Sequence, residues 1–395
     1  MIPSFNFARI PQIIFGAGKL NELYGISSKF GRIILLITGE NSLKKSGKLD
    51  EIISGMNNKS INYFHYPISG EPSPTLIDKA VAKFRNENID LVISIGGGSV
   101  TDAGKAISAM LSKVDSIKNY LEGVGDKTHD GIKIPFIAVP TTSGTGSEAT
   151  KNAVISEIGP NGFKKSLRHD NFIPEVALID PELMISCPPS ISAACGMDAF
   201  TQLIEAYVSP QGSPMTNSLA INAMKIISHN LLVACSKGAS NIDVRASIAY
   251  ASLISGITLA SAGLGIVHGL ASAIGGLWDI PHGVVCGTLL AEATKMNIEK
   301  LKEEGSRGKE RLKKYGDIGA LFSDEKLIKK GKTKECCSVL IDTLETWIND
   351  LKLERLGKYG IKIEDVEPII ERTSLKNNPV KLTKEDIKKI VLNRL

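Results

Sequence analysis

The chain has 395 residues, more than one compact core of ordinary size holds, so two domains are expected. Apolar residues make up 43% and charged residues 23%, a globular balance that excludes a disordered chain. The net charge is only +5, and no stretch interleaves dense Arg/Lys with aromatics, which argues against nucleic-acid binding.

The N-terminus, Met1-Ile2-Pro3-Ser4-Phe5, has no basic region followed by an apolar run, so no signal peptide is expected. Phe5 to Phe15 is apolar enough to pair as a strand or hairpin; the alternative is an edge strand folded back on its own sheet. Arg32 to Thr38, Asp90 to Ile95 and Ile134 to Pro140 are short β-branched runs that predict buried strands. Between them, Thr75 to Asn86 repeats apolar residues at helical spacing. Strands that alternate with helices imply a parallel, doubly wound sheet, with ligands beyond the carboxyl ends of its strands.

Strand 90–95 runs into Gly96-Gly97-Gly98-Ser99-Val100-Thr101-Asp102 and then into helix. Consecutive glycines let a ligand approach the backbone, and the helix N-terminus behind them offers free N–H groups for a diphosphate. The other reading is a tight strand-to-helix turn. It is neither GxGxxG nor a P-loop. The next strand ends in Pro140-Thr141-Thr142-Ser143-Gly144-Thr145-Gly146-Ser147-Glu148, whose hydroxyls suit phosphate, ribose or carboxamide. Two such loops at successive strand ends point to one dinucleotide lying across the sheet edge.

From Pro188-Pro189 onward strand-like runs disappear, and proline makes a natural boundary there. The expected division is an α/β domain over 1–187 and an all-helical domain over 188–395. Helices are expected over Asp198 to Val208, Met215 to Lys237 and Asp243 to Ala260. Ala246 to Trp278 is weakly polar and carries His268, so it reads as a buried helix and not as a membrane span. The Lys/Glu-rich last hundred residues read as solvated helix faces.

Gly196-Met197-Asp198 is expected to begin a helix, on which Asp198 and Gln202 share a face. Taken alone, Asp198 suits a first-turn cap and His268 a hydrogen-bonded core histidine. With His282 in Pro281-His282-Gly283, placed in a turn, they form a plausible divalent-metal set of two imidazoles and a carboxylate. Six cysteines, at 187, 195, 235, 286, 336 and 337, lack CxxC spacing and read as packed thiols in a reducing cytoplasm.

The ordered segments Ile14-Phe15-Gly16-Ala17-Gly18, Gly70-Glu71-Pro72, both glycine loops, Leu178-Ile179-Asp180-Pro181-Glu182, Gly196-Met197-Asp198-Ala199, His268-Gly269, Pro281-His282-Gly283 and Asn377-Asn378-Pro379 span the whole chain. In this it resembles the iron-containing (group III) alcohol dehydrogenase family. The resemblance implies a Rossmann-like dinucleotide-binding α/β domain followed by an all-α domain, the dehydroquinate synthase-like architecture, with the active site in the cleft between. It implies NAD(P)-linked, metal-assisted hydride transfer between a small primary alcohol and its aldehyde, in a homodimer or higher homo-oligomer. The metal, Fe2+ or Zn2+, is expected on Asp198, Gln202, His268 and His282, with Asp198, His268 and His282 catalytic. Two residues depart from the family: Gln202 stands where histidine is usual, and Ser272 replaces a pocket histidine that could relay a proton. For the cofactor the resemblance assigns Gly97, Gly98, Ser99, Thr141, Thr142, Thr145 and Asn152, with Lys165 a weaker match, and Asp102 of the same glycine loop is counted with them; Lys165 and Arg168 could equally serve the cofactor, an anionic substrate or solvent. Gly39 falls where NAD-preferring members often carry an acid, which tilts the preference modestly toward NADP; Glu40 is placed to oppose that. Alternatives of the same fold are a metal-independent reductase resembling maleylacetate reductase, a lyase resembling dehydroquinate synthase, and a dinucleotide-binding protein without catalysis.

Overall fold

The computed structural model describes residues 2–323 and 332–395. Six parallel strands form the main sheet: β1 (Gln12–Phe15), β2 (Ile33–Gly39), β3 (Asn62–Ile68), β4 (Leu91–Gly96), β5 (Phe136–Pro140) and β8 (Val176–Ile179), in the order β1-β8-β5-β4-β2-β3. β6 (Asn152–Glu157) and β7 (Phe163–Arg168) form a separate antiparallel hairpin. The β-branched runs of β2 and β4 bury both faces, as parallel strands must when helices cover each side. Leu35, Ile37 and Val92 face α4 (Pro74–Phe84) and α5 (Gly98–Met110). Ile34, Leu36 and Ile93 face α1 (Leu23–Ser27), α2 (Ser42–Lys45) and α3 (Lys48–Asn58). The chain crosses from β3 on one side of β2 to β4 on the other. The crevice beyond the carboxyl ends of β2 and β4 is therefore the switch point where dinucleotides bind.

The last strand ends at Ile179, and helices follow: α6 (Pro189–Val208), α7 (Pro214–Ala234), α8 (Ile242–Ala262), α9 (Ile266–Leu277), α10 (His282–Glu303) and α11 (Lys309–Ala320), then Thr333–Asp350, Val366–Arg372 and Lys384–Leu392. Their apolar faces meet in one large core that also takes in Ala177 and Ile179 of β8. α8 is long and apolar enough by composition to cross a membrane, but it packs against α6 and α7 within this core. The expected apolar helix over 246–278 is broken at Gly263, whose φ of 73° ends α8, so His268 lies on a separate helix.

Two expectations change. α6 begins at Pro189, because Pro188 and Pro189 suit a helix start and Gly196 packs on Leu231 of α7 without breaking the helix. Asp198 thus sits mid-helix and caps nothing. The N-terminal segment forms only the four-residue β1, which pairs with β8 of its own sheet, Gln12 opposite Val176 through Phe15 opposite Ile179.

The two halves interlock through glycine. Gly146, at φ 60°, lies so close to α8 that a Cβ on Gly256 would come within 2.2 Å of its carbonyl oxygen. Under the 140–148 loop, Lys105 is fully buried. Its ammonium reaches Ser147 O at 2.8 Å, Thr150 O at 2.9 Å and Asn152 O at 2.8 Å, with the Ser147 and Thr150 hydroxyls each at 3.1 Å. Burial pushes its pKa down to about 8, opposed by Asp102 and Glu148.

Candidate active site

At the switch point the two glycine loops lie side by side. Thr141 donates its amide to Gly96 O at 2.9 Å. A Cβ on Gly98 would fall 2.4 Å from Thr145 Cγ2, and one on Gly97 3.3 Å from Thr142 Oγ1, so the glycines are what let the threonine hydroxyls close over the start of α5. Gly39 ends β2 beside Val100; a Cβ there would meet only ordinary contacts, at 3.6 Å or more. Gly39, Gly97, Gly98, Ser99, Thr141, Thr142 and Thr145 are thus gathered in one crevice, whereas Glu40 is exposed.

Other expected cofactor residues lie elsewhere. Asp102 turns under the loop, where its carboxylate accepts from Ser147 Oγ at 2.5 Å; burial raises its pKa against the pull of Lys105. Asn152 starts β6 half-buried and gives its carbonyl to Lys105. Lys165 is exposed, as is Arg168, which pairs with Glu122 at 2.9 Å. Alternation along β7 turns Lys164 inward instead. Its ammonium meets Glu71 Oε2 at 2.8 Å, and Glu71 Oε1 accepts from Ser99 Oγ at 3.0 Å. Burial pushes Glu71 up, but Lys164 and the Ser99 hydroxyl overcome it and hold the carboxyl below its usual range.

Across the crevice, α6, α9 and α10 aim four donor atoms at one point. Asp198 Oδ1 lies 3.3 Å from His268 Nε2 and 3.7 Å from His282 Nε2. Cys286 Sγ lies 3.8 Å from His268 Nε2 and 3.6 Å from His282 Nε2. All four atoms fall within 4.8 Å of one another. Asp198 Oδ1 is buried and has no hydrogen-bond partner among the described residues, an arrangement that costs free energy unless a cation completes it. The residues present therefore fit a divalent ion. Gly283 allows the approach of α10: a Cβ there would lie 2.3 Å from Ala194 O of α6.

Glu205 orients the site. Its Oε1 accepts from Val267 N at 2.7 Å and its Oε2 lies 2.7 Å from His268 Nδ1. A carboxylate can only accept, so Nδ1 carries a proton and Nε2 faces Asp198. Burial opposes charge on His268, but Cys286, Glu205 and Asp198 outweigh it and raise its pKa well above the ordinary value. Burial also raises Asp198, and His282 and His268 reverse the effect and hold it low. His282 is pushed down to about 4, by burial first and then by Lys164 and His268, against Asp198.

Gln202, one helical turn beyond Asp198 on α6, is buried and its Oε1 accepts from Ser255 Oγ at 2.6 Å. Ser272 gives its hydroxyl to His268 O at 2.7 Å. Sequence reasoning did not single out Cys286, Glu205, Glu71 or Lys164. Spacing could have found Cys286, which stands one helical turn after His282; the others are acids and a lysine whose roles depend on packing.

A switch-point crevice in a parallel sheet, facing a buried cluster of metal-type donors on helices, defines a two-domain nucleotide-and-metal enzyme. Residues 11–181 match the model of iron-containing alcohol dehydrogenase, and residues 192–395 match the C-terminal model of the same family. The chain belongs to the iron-containing alcohol dehydrogenase family. It is 29% identical over 99% of its length to the whole NAD-dependent methanol dehydrogenase of Bacillus methanolicus. It is 30% identical to the 1,3-propanediol dehydrogenase of Klebsiella pneumoniae, covering 98% of this chain and 96% of that one. Among solved structures, an archaeal halo-thermophilic alcohol dehydrogenase from a Red Sea brine pool superposes with a TM-score of 0.89 at 27% identity, covering 100% of this chain and 99% of that chain.

Proposed function

We propose that the chain is a metal-dependent, NAD(P)-linked alcohol dehydrogenase that interconverts a small primary alcohol and its aldehyde by hydride transfer. The observation that carries this is the convergence of Asp198, His268 and His282 around an unpartnered buried oxygen, across the crevice from the glycine loops. A divalent ion held by these three residues supplies Lewis acidity toward the substrate oxygen. Asp198 contributes the negative charge, and Glu205 fixes the His268 tautomer. Gly97 and Gly98 admit the diphosphate to the N-terminus of α5, and the hydroxyls of Thr141, Thr142 and Thr145 hold the dinucleotide beside it. The Glu71–Lys164 pair holds Ser99 from the other side. Ser272 donates its hydroxyl to the His268 carbonyl.

Gly39 places no carboxylate where it would repel a ribose 2′-phosphate, which supports NADPH as well as NADH. Cytoplasmic location is supported by six free cysteines. A homodimer is supported by the unpaired outer edge of β1 and by exposed Ile2, Phe5 and Ile10 beside it.

The test is an alcohol and aldehyde panel run with both NADH and NADPH, with metal content measured on the same preparation. His268→Ala and His282→Ala should each abolish turnover while dinucleotide binding persists, because the glycine loops lie in the other domain. Wild-type turnover in either variant would sink the assignment.

A further inference from the structure

We propose that Cys286 is the fourth protein donor to the ion, as a thiolate, and that it makes this a site for zinc in preference to iron. The proposal rests on the reading that Asp198, His268 and His282 hold a divalent ion. Cys286 lies one turn beyond His282 on α10, so the two side chains share a face. The separations match those of donors set around one ion. Donors about 2.1 Å from a tetrahedral ion lie about 3.4 Å apart, and a thiolate at about 2.3 Å lies about 3.6 Å from an imidazole nitrogen. The observed separations are 3.3 and 3.7 Å from Asp198 Oδ1 to the two imidazoles, and 3.8 and 3.6 Å from Cys286 Sγ to the same atoms. Four edges of one tetrahedron are thus already in place.

Gln202 Oε1, a neutral amide oxygen on α6, already accepts from Ser255 Oγ at 2.6 Å, whereas the Cys286 thiolate adds charge. Cys286 is fully buried, and among the described residues its sulfur lies against the two imidazoles and the Asp198 carboxylate. On coordination the thiol gives its proton to solvent and its lone pair to the ion, and the site charge falls by one. A softer, more anionic set of two imidazoles, one carboxylate and one thiolate suits zinc over iron. It also fills a tetrahedral ion's four positions, so substrate must enter as a fifth neighbour.

The test uses the full chain, stripped by chelator and reloaded with Co2+ or Zn2+ without oxygen. Co2+-loaded wild type should show the intense near-ultraviolet charge-transfer absorption of a cobalt–thiolate bond. Cys286→Ser and Cys286→Ala, the second keeping an apolar packing partner, should lose it, and both should bind zinc at least ~100-fold more weakly in competition with a chromophoric chelator. Wild type grown with both metals should retain zinc over iron. Cobalt that binds without that absorption overturns the role of Cys286 and leaves the three-residue site standing. Absorption that persists in both variants does the same, since another cysteine would be its source. A wild type that retains no divalent ion overturns both readings, and one that retains iron over zinc overturns the metal preference.

Discussion

Glu205 divides its carboxylate between the Val267 amide and His268 Nδ1, both at 2.7 Å. Glu205→Gln keeps the shape and the acceptor for Val267 but presents an N–H to Nδ1. His268 must then accept at Nδ1 and carry its proton on Nε2, the nitrogen that faces Asp198. The expected result is metal affinity weakened about 10- to 100-fold with an unchanged fold, read by chelator competition. Affinity equal to wild type would show that Glu205 does not set the tautomer. At Gly39 the argument concerns charge. The backbone there accepts a side chain without crowding. Gly39→Asp should shift kcat/KM toward NADH by roughly 10-fold or more, about 1.4 kcal/mol, because a carboxylate binds ribose hydroxyls and repels the 2′-phosphate. Measured in parallel, Glu40→Ala should leave the preference alone; if it relaxes a strong NADH preference instead, Glu40 is the selector. Asp198, His268 and His282 were legible in the sequence because metal-type residues in weakly polar surroundings are unusual. Lys164 was not, since one residue along a strand reverses which side chain faces inward, and the hairpin that decides this was not foreseen.

Strands β2, β4 and β5 stood out through β-branched runs bounded by glycine and proline, and α4 through its periodicity. The β6–β7 hairpin did not, because Phe163 to Arg168 is half lysine and arginine and reads as loop. Its strand pairing comes from packing against α5 and α9, which a local pattern cannot show. The end of α8 was close to the expected Ala260, although the run of small and apolar residues through Trp278 reads as continuous helix. The contact between α8 and the 140–148 loop gives a test at this scale. Gly256→Ala would set a methyl 2.2 Å from a backbone oxygen that has no rotamer to give way. It should lower unfolding free energy by about 1–3 kcal/mol in denaturant melts and weaken dinucleotide binding, since the same loop carries Thr142 and Thr145. Unchanged stability would mean that the two halves part there at little cost.

For the whole molecule, the free edge of β1 is the clearest invitation to assembly. It is the outer strand of the sheet, with the apolar side chains of Ile2, Phe5 and Ile10 exposed beside it, while Ala8 anchors the segment to Ser261 of α8 at 3.1 Å. Sedimentation at micromolar concentration should therefore give a mass above the 42.4 kDa of one chain. Removing residues 2–10 should shift it toward the monomer, and a monomeric wild type would reject the reading.

The glycine loops come from one half of the chain, whereas every donor of the proposed metal site comes from α6, α9 or α10 in the other. On the proposed reading, such a division makes the enzyme editable by halves. Substitutions on the three helices should then change the ion while the glycine loops keep their register, and changes at the loops should alter the preferred phosphate without touching a donor. A histidine absent at 202 and a sulfur present at 286 are what a lineage would leave behind if it had rewritten only one of the two halves.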